Sequence, residues 1–255
     1  IEVTQRCDLH CPACLVSCSG EGDLSVDAFS RIVDGVIERE GSVDTINLSG
    51  GEPLLHPELP ALLRAAARPE VARVSMSSNG LALLARPDLL DALEEHEVTI
   101  ALQWDGDEAE PYRVLRGRDL RDSKRRLLDL LERRGIRTTL IVTAAAGLGE
   151  RVWAAAMDEF LARPNVTALQ IQPVAHVGRG AGLPHDPLRR LTIPDVIDGL
   201  CVNDDGNGVY DGAPDRVLFS LAAGSPSLGA LGGSAASVLR PGPSVRVTRA
   251  TRPSP

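Results

Sequence analysis

Short runs rich in β-branched residues alternate with longer amphipathic runs over the first 200 residues, and this alternation restricts the possible folds most strongly. Strands are predicted at residues 1–4, 45–48, 71–76, 98–102, 137–142 and 168–172, with helical periodicity between them. Repeated βα units form parallel sheets, because each crossover helix returns the chain to the same end of the sheet. We therefore predict an α/β fold, a partial (β/α)6 TIM-type barrel with parallel strands that is open on one side.

The repeating pattern ends near residue 200. The last predicted helix, at residues 193–200, is weak, and the residues from 203 to 255 are rich in Gly, Ala, Ser and Pro. A segment of this composition buries too little apolar surface to offset the entropy of ordering it. We therefore predict a core domain at residues 1–200 and an irregular or disordered tail at residues 201–255.

Charge and cysteine usage limit the classes of protein. The formal net charge of −8 disfavours nucleic acid as a partner. No apolar run approaches the ~18 residues that a membrane span needs, and the first residues do not resemble a signal peptide. Five cysteines, three of them closely spaced, fit a reducing compartment better than a disulfide framework. We predict a cytoplasmic protein without a membrane span, whose natural chain begins before Ile1 because Ile1 already starts a strand.

Three cysteines, Cys7, Cys11 and Cys14, lie within eight residues of the loop after the first predicted strand. Thiolates crowded in this way bind an iron–sulfur cluster or zinc, and a zinc knuckle that lacks its last ligand is an alternative at this point. Closed structural sites take four protein ligands, so three leave one coordination position open. Cys18 is either a fourth ligand or a small buried thiol, and the tendency of free cysteine to be buried favours the second interpretation.

The Cys-x3-Cys-x2-Cys spacing after a first strand resembles the hallmark of the radical S-adenosylmethionine (radical SAM) superfamily. The resemblance implies that Cys7, Cys11 and Cys14 hold a [4Fe-4S] cluster and that S-adenosylmethionine binds the fourth iron. The common form of the motif has an aromatic residue at the place of Ala13. The Cys-Pro-x-Cys variant resembles the branch that contains tetraether lipid synthases and pterin-linked methyltransferases.

A second motif, Gly50-Gly51-Glu52-Pro53, follows the second predicted strand and resembles the superfamily segment that lines the methionine amino group. Two glycines allow backbone carbonyls to approach an ammonium group closely, and Glu52 either adds a carboxylate or orients the loop. An ordinary Gly-Gly turn would look the same by itself. The place of this motif at the strand end next to the cysteine loop favours the cofactor interpretation.

Polar residues also follow the third and fourth predicted strands. Ser77, Ser78 and Asn79 carry hydroxyl and amide groups suited to the carboxylate and ribose of the cofactor, although turn chemistry alone also selects Ser-Asn-Gly. Gln103 and Asp105 occupy the place of a Ser-x-Asp-Gly segment whose polar residues in the family contact the ribose or the substrate. We predict that these five residues belong to the cofactor site.

Two further groups of polar residues lie outside these motifs. Basic residues concentrate between Arg113 and Arg126, where the chain resembles an Ile-Arg-Gly region of the family. A solvated helix face explains them best, and contact with an anionic substrate or a flavodoxin-type partner is the alternative. Gln170 and Gln172 alternate with Ile171 on the sixth predicted strand, so both amides are expected to face the barrel lumen.

The resemblance implies an enzyme in which one electron from the cluster cleaves S-adenosylmethionine to methionine and a 5′-deoxyadenosyl radical that abstracts hydrogen. A flavodoxin or ferredoxin would supply the electron. The Cys-Pro-x-Cys branch implies C–C bond formation or methyl transfer on a small-molecule or lipid substrate, such as a pterin-like compound. A peptide-modifying maturase and an iron–sulfur electron-transfer or regulatory protein without cofactor cleavage are the alternatives.

Overall fold

A computed structural model of the chain describes residues 1–16, 18, 20–183, 191–192, 195–196, 218–222 and 235–239. Its strands are β1 Glu2–Thr4, β2 Ile46–Gly50, β3 Val74–Ser78, β4 Thr99–Gln103, β5 Thr138–Ala144, β6 Val166–Pro173, β7 Leu218–Ala222 and β8 Ala235–Leu239. They form one sheet in the order β1-β2-β3-β4-β5-β6-β8-β7. The first six strands are parallel neighbours in chain order, which confirms the predicted α/β fold of a partial (β/α)6 barrel.

Helices join the parallel strands. They are α1 Val26–Glu40, α2 Leu59–Ala66, α3 Pro87–Glu95, α4 Ala109–Arg116, α5 Arg121–Arg133 and α6 Gly149–Ala162. The Ser25 hydroxyl accepts a hydrogen bond from the Ala28 amide and so caps α1, as its position predicts. Pro87 begins α3 at a position where a missing N–H group costs nothing. No helix in the described part of the chain is long and apolar enough to cross a membrane.

The two faces of the sheet differ in chemistry. One face carries large apolar residues that are buried against the helices, such as Leu48, Met76, Ile100 and Leu140. Successive side chains of a strand point to opposite faces, so the residues between them face the concave side. We call this side the lumen face. It is half-buried and mostly polar, and it includes Asn47, Ser75, Ser77, Gln103, Thr139, Ile141, Thr143, Gln170 and Gln172.

Two segments differ from the sequence-based prediction. Helix α4 is a separate short helix before α5, so two helices join β4 to β5 where a βα unit needs one, and no side-chain hydrogen bond caps the start of α4. Strands β7 and β8 lie inside the predicted irregular tail, where β8 pairs antiparallel with β6 and β7 pairs with β8. Their short, Ala-rich and Ser-rich sequences give no strand signal. The rest of the tail and most of the predicted helix at 193–200 lie outside the described residues.

Candidate active site

The three clustered cysteines lie on the loop between β1 and α1, at the rim formed by the carboxyl ends of the parallel strands. Cys7, Cys11 and Cys14 are half-buried free thiols, and the Cys14 amide donates to the Cys11 carbonyl over 3.2 Å. Burial raises the pKa of Cys7 to about 12. Burial also raises the pKa of Cys11, where the Arg116 guanidinium opposes the effect. Binding of iron to these two thiols therefore releases protons, because the ligand is the thiolate.

Cys18 lies beside these three residues. It is half-buried, and burial together with the neighbouring Cys14 thiol raises its pKa. No three His, Cys, Asp or Glu side chains within the described residues converge on the position of a single metal ion. The assignment of Cys7, Cys11 and Cys14 as ligands, with Cys18 outside the set, stays a prediction.

The glycine pair packs directly against the start of the cysteine loop. A Cβ atom on Gly50 would lie 2.3 Å from the Thr4 carbonyl oxygen, and one on Gly51 would lie 2.2 Å from the Arg6 carbonyl oxygen. The amides of Gly51 and Glu52 donate to these same two carbonyls over 2.8 and 2.6 Å. Sequence reasoning linked the glycines only to the cofactor. The structure gives them a second role, since only glycine permits the two loops to meet this closely.

Glu52 connects the segment after β2 with the end of β3 through its carboxylate. It is 1% exposed; its Oε1 atom accepts from the Ser78 hydroxyl over 2.6 Å and from the Leu54 amide over 3.1 Å. Its Oε2 atom accepts from the Asn79 amide over 2.7 Å. Burial raises the pKa of Glu52 to about 7, although these hydrogen bonds act to lower it. The contacts correspond to the loop-orienting role among the two that the sequence suggested.

The end of β3 is tied to the cysteine loop. The Asn79 side-chain amide donates to Asp8 over 2.7 Å, and its oxygen accepts from the Leu81 amide over 2.9 Å. Ser77 faces the lumen and accepts a hydrogen bond from Asn47 over 3.1 Å. Pro53 is buried in the short 3-10 turn that follows the glycines. Cofactor contacts of Ser77, Ser78 and Asn79 stay a prediction.

A second network lies at the end of β4. Asp105 is fully buried and forms a bidentate ion pair with Arg116, with N–O distances of 2.7 and 2.9 Å. Arg116 also donates to the Thr143 hydroxyl on β5 over 2.8 Å, and its charge lies near the Cys11 thiol, where it acts to lower the thiol pKa. The Gln103 side-chain nitrogen donates to Asp105. Arg116 therefore links β4 to β5 through side-chain hydrogen bonds, next to the cysteine loop.

The side-chain oxygen of Gln103 has no partner among the described residues. This Oε1 atom is buried, and no described residue donates to it. Buried acceptors in native proteins are almost always paired, so an unpaired one beside a rim points to a donor on a bound molecule. The cofactor role predicted for Gln103 and Asp105 stays a prediction, and the structure leaves this one acceptor available for it.

Most basic residues between Arg113 and Arg126 are exposed, as a solvated face requires, but Arg116 and Lys124 are exceptions. Lys124 is fully buried, and its Nζ atom donates to the carbonyls of Asn79 and Gln103 over 2.6 Å each. Burial lowers the pKa of Lys124 to about 7. A sequence signal for this burial existed, because Lys124 lies at helical spacing from the buried Leu127 and Leu131.

The loop after β6 contacts the cysteine loop from the other side. The Arg179 amide donates to the Cys14 carbonyl over 3.0 Å, and the Arg179 Nε atom donates to the Cys11 carbonyl over 3.1 Å. Gly178 has a φ of +57°, and a Cβ there would lie 2.4 Å from the Leu15 carbonyl oxygen. Sequence reasoning missed this contact, because residues 168 positions apart give no local signal.

Replacing Arg179 by alanine should loosen the cysteine loop. The lost Nε bond to the Cys11 carbonyl corresponds to about 1 kcal/mol, so a chelator should remove iron from the reconstituted variant about 5-fold faster than from the wild type. Arg179→Lys keeps a donor and should restore part of the difference. The matched control is Arg137→Ala, which removes a similar exposed bond to the Glu97 carbonyl and should leave iron release unchanged. Equal rates in Arg179→Ala and the control would contradict the prediction.

A cavity of about 160 Å³ lies beside the glycine pair, and Thr4, Cys18, Gly50 and Gly51 are among its lining residues. Cys7, Cys11 and Cys14 do not line it, so the assignment of these three thiols rests on their spacing and on the loop that carries them. Residues 1–158 match the family model of the Radical SAM superfamily. The chain belongs to this superfamily.

Relatives of this radical SAM chain catalyse different reactions. It is 28% identical over 232 residues to the 7,8-dihydro-6-hydroxymethylpterin dimethyltransferase of Methanocaldococcus jannaschii, over 86% of this chain and 45% of that protein. It is 39% identical over 88 residues to the PqqA peptide cyclase of Streptomyces rochei, over 33% of this chain and 23% of that protein. The chain thus spans less than half the length of the curated relatives it matches.

A solved structure shares the fold. Streptococcus suis SuiB bound to S-adenosylmethionine superposes with a TM-score of 0.55 at 16% identity, over 67% of this chain and 37% of that chain. The comparisons confirm the predicted superfamily and the prediction that the chain comes from an enzyme family. The identity of the substrate, the cytoplasmic location and the domain boundary at residue 200 stay predictions.

Proposed function

We propose that this chain is the catalytic core of a radical SAM enzyme that reductively cleaves S-adenosylmethionine. The observation that supports it most is the close packing of Gly50 and Gly51 against the backbone of the cysteine loop. This packing holds two motifs of separate strands at one rim. A cluster and a cofactor that must touch each other need such a fixed distance between their two binding loops.

The residues at the rim divide into two groups in this proposal. Cys7, Cys11 and Cys14 hold the [4Fe-4S] cluster. Gly50, Gly51, Glu52, Pro53, Ser77, Ser78, Asn79, Gln103 and Asp105 bind or position S-adenosylmethionine, and the Gln103 oxygen, which has no partner among the described residues, accepts from a donor on a bound molecule. When bound, the pair supplies a 5′-deoxyadenosyl radical for hydrogen abstraction, with an electron from a flavodoxin or ferredoxin.

For the substrate, we propose C–C bond formation or methyl transfer on a pterin-like compound. The similarity to a pterin dimethyltransferase covers 86% of this chain and supports this choice over a lipid. A peptide-modifying maturase is the second candidate, because the chain is 39% identical to a peptide cyclase over 88 residues. That similarity covers only a third of the chain, so it carries less weight for the substrate.

Anaerobic reconstitution with iron and sulfide, followed by dithionite and S-adenosylmethionine, tests the proposed function. An enzyme should produce 5′-deoxyadenosine, which liquid chromatography quantifies. An iron–sulfur electron carrier would show the cluster absorbance without this product, and a zinc protein would bind no iron. Either of these two results would overturn the proposal.

A further inference from the structure

The lumen face is unusually polar for the inside of a barrel. Asn47, Ser75, Ser77, Thr139, Gln170 and Gln172 all lie on it and are half-buried. A closed TIM barrel fills its interior with branched apolar side chains, and a parallel sheet covered on both faces has nearly continuous apolar strands. Here the alternation leaves amides and hydroxyls on the concave side. This surface is therefore suited to a polar molecule rather than to packing against the protein itself.

One row of the lumen face places a glutamine on each side of an isoleucine. Gln103 on β4 is in register with Ile141 on β5, and Ile141 is in register with Gln170 on β6. Neighbouring strands lie about 4.8 Å apart, so the backbones of the two glutamines are separated by roughly 10 Å. Ala101 and Ala168, in the next row, are small. Two amides therefore flank an apolar floor made by Ile141.

The Gln103 nitrogen donates to Asp105, but the Gln103 oxygen and both polar atoms of the Gln170 amide have no partner among the described residues. The Gln103 Oε1 atom is buried without a donor, as described above. Within the described residues, Gln170 and Gln172 make no side-chain hydrogen bond. Amide side chains present a donor and an acceptor side by side, and they pair bidentately with the edges of nitrogen heterocycles, as they do with the edges of bases.

We propose that the row Gln103, Ile141 and Gln170 binds a planar nitrogen heterocycle, with the ring over Ile141 and its polar edges paired with the two glutamines. This inference rests on the proposed function and names the part of the lumen face that selects its substrate. A lipid chain would cover these amides without offering them partners, which disfavours the lipid substrate that the sequence left open. An extended peptide pairs through backbone groups at a sheet edge, whereas this row presents side chains in the middle of a sheet.

Equilibrium binding to the full cluster-reconstituted chain, without reductant, tests the proposal. The probes are 7,8-dihydro-6-hydroxymethylpterin, oleate and an alanine-rich decapeptide, and calorimetry measures the dissociation constants. The pterin should bind at least 10-fold more tightly than the other two. Gln170→Leu should weaken pterin binding about 10-fold, since one bidentate pair is lost, and Gln170→Asn should weaken it less. Oleate binding should not fall in Gln170→Leu.

A second variant guards against loss of folding in the first. Ile141→Phe keeps the floor apolar but fills the space above it, so it should also weaken pterin binding while the thermal midpoint stays near that of the wild type. Stronger binding of oleate or of the peptide, or unchanged pterin binding in both folded variants, would overturn the inference. Because no cofactor cleavage is measured, this failure is distinct from an absence of 5′-deoxyadenosine in the test of the proposed function.

Discussion

Replacing Cys7, Cys11 or Cys14 by alanine is expected to abolish both cluster assembly and cleavage of S-adenosylmethionine. Three thiolates are the fewest that hold a cube with one open iron, so no remaining cysteine of the set compensates for a lost one. The three residues lie on one loop that is fixed at Thr4, Arg6 and Arg179, which gives the loop little freedom to substitute another donor. Iron and acid-labile sulfide per chain after anaerobic reconstitution measure the first effect, and 5′-deoxyadenosine measures the second.

Cys18→Ala is the matched control for these variants. It removes a thiol from the same loop, next to Cys14, and its half-buried position makes the expected cost to folding small. Iron content and 5′-deoxyadenosine formation should stay near those of the wild type. Loss of iron in Cys18→Ala, equal to that in Cys14→Ala, would contradict the assignment and indicate a site with four cysteine ligands.

The fold of residues 1–183 follows from local sequence signals to a large extent. Helices α3 and α6 lie where the sequence has helical periodicity between predicted strands. These helices have clear start signals or are long enough to show several turns of their pattern. Right-handed crossovers between parallel strands then restrict the chain to few topologies. Helix α4 was missed because no side-chain hydrogen bond caps its start and Pro111 lies inside it, and β7 and β8 were missed because they lie in a segment rich in Gly, Ala, Ser and Pro.

The candidate site was predictable as a set of positions but not as a set of contacts. The motifs placed Cys7 and Gly50 at neighbouring strand ends, where the structure also has them. The partners of these residues were hidden: Arg179 reaches the cysteine loop from 168 positions away, and the resemblance of the segment around Arg116 to an Ile-Arg-Gly region did not indicate its pairing with the buried Asp105. Long-range polar contacts depend on the packed fold, so they become visible only when the strands are assembled.

Arg116→Met is expected to be the most destabilising single substitution among the arginines described here. The variant would leave the Asp105 carboxylate fully buried without its cation, and breaking a buried pair in this way costs about 3–5 kcal/mol. Arg116 is 10% exposed and Asp105 is 0% exposed, so water cannot replace the lost partner. Denaturant unfolding of the metal-free chain measures the change in the free energy of unfolding.

The matched control is Arg134→Met, because Arg134 also pairs with two acidic residues but does so at the surface. Its partners Asp91 and Glu94 are 72% and 37% exposed, so the expected loss of unfolding free energy is small and well below that of Arg116→Met. The double variant Asp105→Asn/Arg116→Met removes the unpaired charge and should recover part of the stability that Arg116→Met loses. Equal losses of unfolding free energy in Arg116→Met and Arg134→Met would show that the Arg116–Asp105 pair at the end of β4 is hydrated. The network around Cys11, Asp105 and Thr143 would then contribute little to the stability of the fold.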